Sequence, residues 1–106
     1  MRAELSPALI SQLERLAAAG VQMVPLPELA TYFVLEREGC VVLVERRGEG
    51  FGAIGSPGVL IEGGFAALVA RNGKDWLVGK SEARAASGGE AAAARRLYRD
   101  LRNILG

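Results

Sequence analysis

Side chains that could do chemistry are few in this sequence, and histidine is missing altogether. Without an imidazole, the chain has no histidine-based triad, no histidine metal ligand and no side chain that ordinarily titrates near neutral pH. The single cysteine, Cys40, lies in an apolar run, which predicts a small buried side chain rather than a nucleophile. Glu45 and Glu62 could meet across a sheet, but scattered surface carboxylates are far commoner than catalytic pairs. We therefore expect no enzyme activity, no catalytic residue, no metal site and no cofactor.

Residues 50–55 read Gly-Phe-Gly-Ala-Ile-Gly and match the GxGxxG pattern of nucleotide-binding loops. In a dinucleotide-binding fold, this pattern follows a strand and opens a helix whose free amides hold the pyrophosphate. Here a turn sequence, Ser56-Pro57-Gly58, and a short apolar run come next, so no helix supplies those amides. We therefore interpret these glycines as residues that let a sheet turn and curl.

An arginine stripe, Arg95, Arg99 and Arg102, lies opposite the apolar side of the C-terminal segment. Such a stripe can track a phosphate backbone, but no aromatic residue interleaves it to stack on bases. Positive charge near a helix C-terminus is also favourable by itself. A solvated face is the first interpretation, and binding of nucleic acid or another anionic partner through these arginines is the alternative.

Length and composition are typical of one globular domain spanning residues 1–106. Hydrophobic residues make up 50% and charged residues 24%, and the net charge of +1 predicts no general attraction to nucleic acid. A single cysteine allows no internal disulfide, so we expect a cytoplasmic protein. The N-terminus lacks the pattern of a signal peptide, and no uninterrupted apolar run reaches the roughly 18 residues of a membrane span. We expect no membrane association.

Two amphipathic helices are predicted, over residues 7–19 and 89–105. Ser6-Pro7 opens the first and Gly20 follows it, as in many helices that end in a left-handed residue. The second begins after Ser87, with Glu90 at the spacing of a capping box. A plain extended connector (residues 21–28) and a linker (residues 81–89) with a helical turn near residues 82–86 complete the chain outside the strands.

Between the helices, residues 32–80 predict an up-and-down antiparallel meander of about six strands, because glycine-containing turns interrupt short apolar segments. Asn72-Gly73 predicts a type I′ hairpin that sets Arg71 against Lys74 and Val69 against Trp76. Gly63-Gly64 predicts a second two-residue turn. Ser56-Pro57-Gly58 predicts a type II turn between the two shortest strands, 51–55 and 59–62, whose pairing the sequence leaves open.

Apolar side chains point to both sides of these strands, whereas a sheet with one solvated face shows polar residues at every second position. The fold class is therefore α+β, with both helices on one face of the sheet. We expect a second copy to cover the other face or to continue the sheet at its edge, which makes the protein a self-associating interaction module, a homodimer. The alternative is a curled sheet whose interior holds a small apolar ligand. Tyr32 and Trp76 are interpreted as core residues.

Overall fold

Two helices and one seven-stranded antiparallel sheet make up the computed structural model, which describes residues 6–48, 50–62 and 64–106. The strands pair in chain order from first to last, and the sheet is open. This arrangement confirms the predicted α+β fold of helix, meander and helix. The elements, with a 3₁₀ turn at Pro27–Leu29, are α1 (Pro7–Ala18), β1 (Gln22–Met23), β2 (Tyr32–Arg37), β3 (Cys40–Arg47), β4 (Gly50–Ile61), β5 (Gly64–Arg71), β6 (Lys74–Val78), β7 (Ala83–Ala85) and α2 (Gly88–Leu105).

Local sequence signals set the ends of both helices. The Ser6 hydroxyl accepts a hydrogen bond from the Leu9 amide at 3.1 Å, and Gly20 follows α1 with a φ of 78°. At α2, the Ser87 hydroxyl accepts from the Glu90 amide at 3.0 Å, and the Glu90 carboxylate accepts from the Ser87 amide at 2.9 Å. The predicted caps and the predicted capping box are confirmed.

The hairpin between β5 and β6 follows the predicted register. Asn72 and Gly73 both have positive φ, at 53° and 77°, as a type I′ turn requires. Arg71 is paired with Lys74, and Val69 with Trp76. The turn between β2 and β3 has the same character, because Glu38 and Gly39 have φ values of 56° and 84°.

The turn predicted at Ser56-Pro57-Gly58 is wrong. Residues 50–61 form one continuous strand, β4, and Pro57 is paired with Val42 of β3 inside it. Proline is tolerated because β5 pairs with β4 only from Gly58 to Ile61, so that Pro57 lies on an open edge of its strand. The two short predicted strands are therefore halves of one strand.

Three smaller predictions also need correction. The connector after α1 contains a two-residue strand, β1, which pairs with Leu35 and Glu36. The linker before α2 forms strand β7 along the edge of β6 instead of a helical turn. Gly64 is paired with Ile61 and so belongs to β5 rather than to a turn, while Gly63 and Glu49 lie outside the described residues.

Both helices pack on the same face of the sheet, as expected. The buried cluster on this side joins Leu16 of α1, Leu97 and Leu101 of α2, and strand residues such as Leu35 and Leu77. In addition, the Arg15 guanidinium donates to the carbonyl oxygens of Ile104 and Asn103 at 3.3 and 3.2 Å, which ties α1 to the C-terminal end of α2. One side of the sheet is thereby sheltered from solvent.

Candidate functional site

The face of the sheet that points away from both helices, here called the outer face, is strongly apolar. Directly paired residues of antiparallel strands point to the same side, so the register identifies its members. One row of this face runs across four strands: Val41 is paired with Gly58, Gly58 with Ala67, and Ala67 with Val78. The other apolar side chains on this face are Tyr32, Val34, Leu43, Leu60, Phe65, Val69 and Trp76.

Part of the outer face is buried within the single chain. Val34 is 2% exposed and Val41 is 0% exposed, although neither belongs to the cluster that contacts the helices. In contrast, Phe65 and Trp76 are half-buried. The outer face therefore has a sheltered centre on β2 and β3 and a more accessible apolar area on β5 and β6.

The interpretation of Tyr32 as a core residue is wrong, because its side chain is 38% exposed at the end of the outer face. Trp76 is not fully buried either. The apolar residue that follows each of them, Phe33 or Leu77, points to the helix side. Alternation along a strand, rather than the character of the flanking residues, decides which side chains the helices cover.

Two open clefts border the outer face. The first, of about 420 Å³, is lined on its apolar side by Leu29, Ile61 and Phe65. The 3₁₀ turn and the turn between β4 and β5 therefore lie on the same cleft. The second, of about 350 Å³, has Trp76 and Val78 as its apolar wall and includes the basic residues Arg71 and Lys74. The second cleft combines accessible apolar surface with positive charge.

The GxGxxG glycines have a structural role in β4. Register shifts near Gly52 and Gly55 mark two irregularities in the pairing of β4 with β3. A Cβ atom at Gly52 would lie 2.5 Å from a Glu45 carboxylate oxygen, and one at Gly55 would lie 2.9 Å from the Leu43 carbonyl oxygen. Glycine is therefore needed at Gly55, where the contact is with backbone, whereas at Gly52 the flexible Glu45 side chain could move and the nearest backbone atom, the Glu45 carbonyl oxygen, lies 3.2 Å away. No helix follows, since the strand continues to Ile61.

Gly58 has a separate role on the outer face. A Cβ atom there would collide with the Ala66 carbonyl oxygen and would lie 2.8 Å from Cε1 of the Phe65 ring. The phenyl ring of Phe65 thus lies across Gly58. The sequence suggested a turn at this glycine, whereas the structure uses it to make room for an aromatic side chain.

The arginine stripe is largely engaged with its own chain. Arg95 forms a two-pronged ion pair with Asp75 of β6, at 3.0 and 2.5 Å. Arg99 lies 3.7 Å from the Asp100 carboxylate, and the Arg102 guanidinium carbon lies 5.9 Å from the centre of the Tyr98 ring. Arg95 is thus an anchor between α2 and the sheet, and Arg99 and Arg102 are the more accessible members.

Two further ion pairs attach α2 to the sheet. Arg37 of β2 donates to Asp100 at 2.9 Å, and Arg84 of β7 donates to both oxygens of Glu90 at 2.9 and 2.7 Å. The hydrogen bond from Arg84, together with that from the Ser87 amide, lowers the pKa of Glu90 to about 2. Charged residues that appear scattered in the sequence therefore position the helix.

The candidates for catalysis are not brought together. Cys40 is buried in the helix-side cluster, and burial, reinforced by the charge of Glu38, raises the pKa of its thiol. Because Cys40 is paired with Val59, Glu45 and Glu62 lie toward opposite ends of the sheet. The possibility that these two carboxylates meet is thus ruled out by the register. No group of three His, Cys, Asp or Glu residues with metal-binding geometry occurs among the described residues.

Sequence reasoning missed an aromatic cluster on the helix side of the sheet. The rings of Phe33 and Phe51 have centroids 4.9 Å apart, and the Arg46 guanidinium lies 4.2 Å above the Phe33 ring. Arg46 also donates to the Ala30 carbonyl oxygen at 2.9 Å. The two phenylalanines lie on different strands, so no local spacing in the sequence indicates the contact.

Within residues 6–48, 50–62 and 64–106, no helix is long and apolar enough to cross a membrane. No family model, no curated protein and no solved structure matches this chain. The case for a function therefore depends on the outer face and the charges around it.

Proposed function

We propose that this protein is a non-enzymatic interaction module that self-associates through the outer face of its sheet. The observation that supports the proposal is the apolar surface of β5 and β6, where Phe65, Val69, Trp76 and Val78 are only half-buried. Burial of such a patch against a second copy is favourable at roughly 25 cal/mol per Å² of apolar surface before the costs of association. Apolar side chains that a single chain leaves partly accessible on one face are the kind of surface that an interface covers.

The short strands at the edges of the sheet favour face packing over continuation of the sheet. β1 has two residues and β7 has three, so either edge offers few backbone groups to an added strand. The accessible apolar side chains instead lie on the face. We also propose the cytoplasm as the location, because a single cysteine gives no internal disulfide that an oxidising compartment would favour.

Size-exclusion chromatography with light scattering over a range of concentrations tests the proposal. We expect the mass of a dimer for the unmodified chain and a shift to the monomer for Val69→Lys, which places a charge on the outer face. Ile10→Lys is a matched control, because Ile10 is an apolar residue that is 42% exposed on α1, away from the sheet. A monomer at every concentration would refute the proposal.

A second candidate is the binding of an anionic partner, such as nucleic acid, through the arginine stripe. The solvent exposure of Arg99 and Arg102 favours it, whereas the ion pair of Arg95 with Asp75 weakens it. Retention on heparin near physiological salt, and its loss in a variant with Arg99→Gln and Arg102→Gln, would support this candidate. If the unmodified chain is not retained, binding of an anionic partner through these arginines is refuted.

A further inference from the structure

The two ends of the sheet carry opposite charges around the outer face. In an up-and-down meander, successive turns alternate between the two ends of the strands. The turns after β2 and β4, with Glu38 and Glu62, lie at one end, and Glu36 lies on the outer face near them. The turn between β5 and β6 lies at the other end and is flanked by Arg71 and Lys74. The outer face is thus acidic at one end and basic at the other.

Part of this charge is available for contact with a partner. Glu36 is engaged within the chain, because its two carboxylate oxygens accept hydrogen bonds from the Gln22 side-chain amide at 2.6 Å and from the Gly39 backbone amide at 2.8 Å. Arg71, Lys74 and Glu62 are exposed, and the ion pairs among the described residues do not include them. Other charges near the two ends are offset locally: Arg47 lies 2.6 Å from Glu45, and Lys80 is next but one to Glu82 in the turn after β6. The charge difference between the ends therefore depends mainly on Arg71, Lys74 and Glu62.

We propose that two copies pack outer face against outer face with their strand ends reversed, so that Arg71 and Lys74 of each copy meet Glu62 of the other. This inference rests on the proposed function. A two-fold axis that lies between the faces, perpendicular to the strands, makes the contact twice. Complementary charges at the rim of an apolar interface select the orientation and speed the association.

The other two-fold arrangement, with the axis along the strands, is less favourable. It keeps the basic end of one copy at the basic end of the other and sets Arg71 and Lys74 against the ends of β2 and β3. Glu45, a carboxylate in that region, already accepts a hydrogen bond from Arg47 at 2.6 Å, and the exposed Arg47 guanidinium adds positive charge there. Reversal of the ends avoids this repulsion.

Charge reversal tests the arrangement by sedimentation equilibrium. The basic-end variant combines Arg71→Glu and Lys74→Glu, and the acidic-end variant is Glu62→Lys. We expect each variant alone to dimerise with a Kd at least about tenfold higher than the unmodified chain, and an equal mixture of the two to regain the original strength. The dimer of the unmodified chain should weaken as salt rises from about 0.05 M to about 0.5 M.

A matched control separates local contact from net charge. Arg99→Glu with Arg102→Glu changes the net charge as much as the basic-end variant does, but on α2. We expect this control to dimerise like the unmodified chain. The proposed orientation would be overturned if the basic-end variant left the dimer Kd unchanged, or if the control raised the Kd as much. Either result would still be consistent with self-association. A monomeric unmodified chain would instead refute the proposed function.

Discussion

Arg95 of α2 and Asp75 of β6 form a two-pronged ion pair in which the guanidinium nitrogens lie 3.0 and 2.5 Å from the two carboxylate oxygens. The pair joins the C-terminal helix to the second half of the sheet, and the hydrogen bonds from Arg95 lower the pKa of Asp75. A residue that the sequence suggested as a contact for an anionic partner is therefore part of the internal structure.

We expect Arg95→Gln and Asp75→Asn each to lower Tm slightly, because the pair is partly exposed to solvent. The double variant should be more stable than the sum of the two single effects predicts, since both single changes remove the same contact. Thermal unfolding followed by circular dichroism measures this. Arg99→Gln is the control and should leave Tm almost unchanged. Strict additivity in the double variant would contradict the role of the ion pair.

Substitution of Gly58 should be strongly destabilising. A Cβ atom there would meet the Ala66 carbonyl oxygen and the Phe65 ring, so we expect Gly58→Ala to lower the free energy of unfolding by about 1–3 kcal/mol. Urea denaturation measures this change. The control is Gly89→Ala in the first turn of α2, where the nearest atom, the Ser87 hydroxyl oxygen, lies 4.0 Å from the new Cβ. That variant should be as stable as the unmodified chain or slightly more stable. Equal stability of the two variants would show that the outer face tolerates a side chain at Gly58.

Acid should weaken the attachment of α2 to β7. The folded-state pKa of Glu90 is about 2, below the usual value of 4.5, so its ion pair stabilises the fold above about pH 4.5. This contribution is lost as the pH falls toward 2. In Glu90→Gln the amide keeps the capping box but not the charge, so stability should fall less steeply between about pH 5 and pH 3. Glu14→Gln, on the exposed side of α1, should retain the steep dependence in the same thermal scans. Identical pH profiles for Glu90→Gln and the unmodified chain would argue against this prediction.

The thiol of Cys40 should be protected in the folded protein. Its side chain is buried, and burial raises its pKa, so little reactive thiolate is present and reagents reach it only when the structure opens. We expect slow labelling by a thiol reagent in buffer and rapid labelling in denaturant. A variant with Cys40→Ala and Ala83→Cys moves the thiol to exposed β7 and should react at once. Equally rapid labelling of Cys40 in the folded chain would place it at the surface.

Local signals predicted the parts of the fold that depend on neighbouring residues. The capping box of Ser87 and Glu90 and the hairpin at Asn72-Gly73 both need particular residue types within a few positions, and both are present. The sequence predicts a turn within β4 because proline and glycine, as at Pro57 and Gly58, are common in turns. Pairing with β3 carries the strand through both residues, and the sequence does not indicate that β5 leaves Pro57 unpaired.

The two capped helices, the meander and the apolar character of both faces of the sheet can be predicted from the sequence, because they follow from periodicity and turn chemistry along the chain. Which face the helices cover, and which charges are engaged, depends on tertiary packing. The ion pairs of Arg37 with Asp100 and of Asp75 with Arg95 join residues that are 63 and 20 positions apart. Such contacts depend on how the sheet bends and where α2 docks. The bend of the sheet and the position of α2 are set by the packing of distant segments rather than by any local pattern.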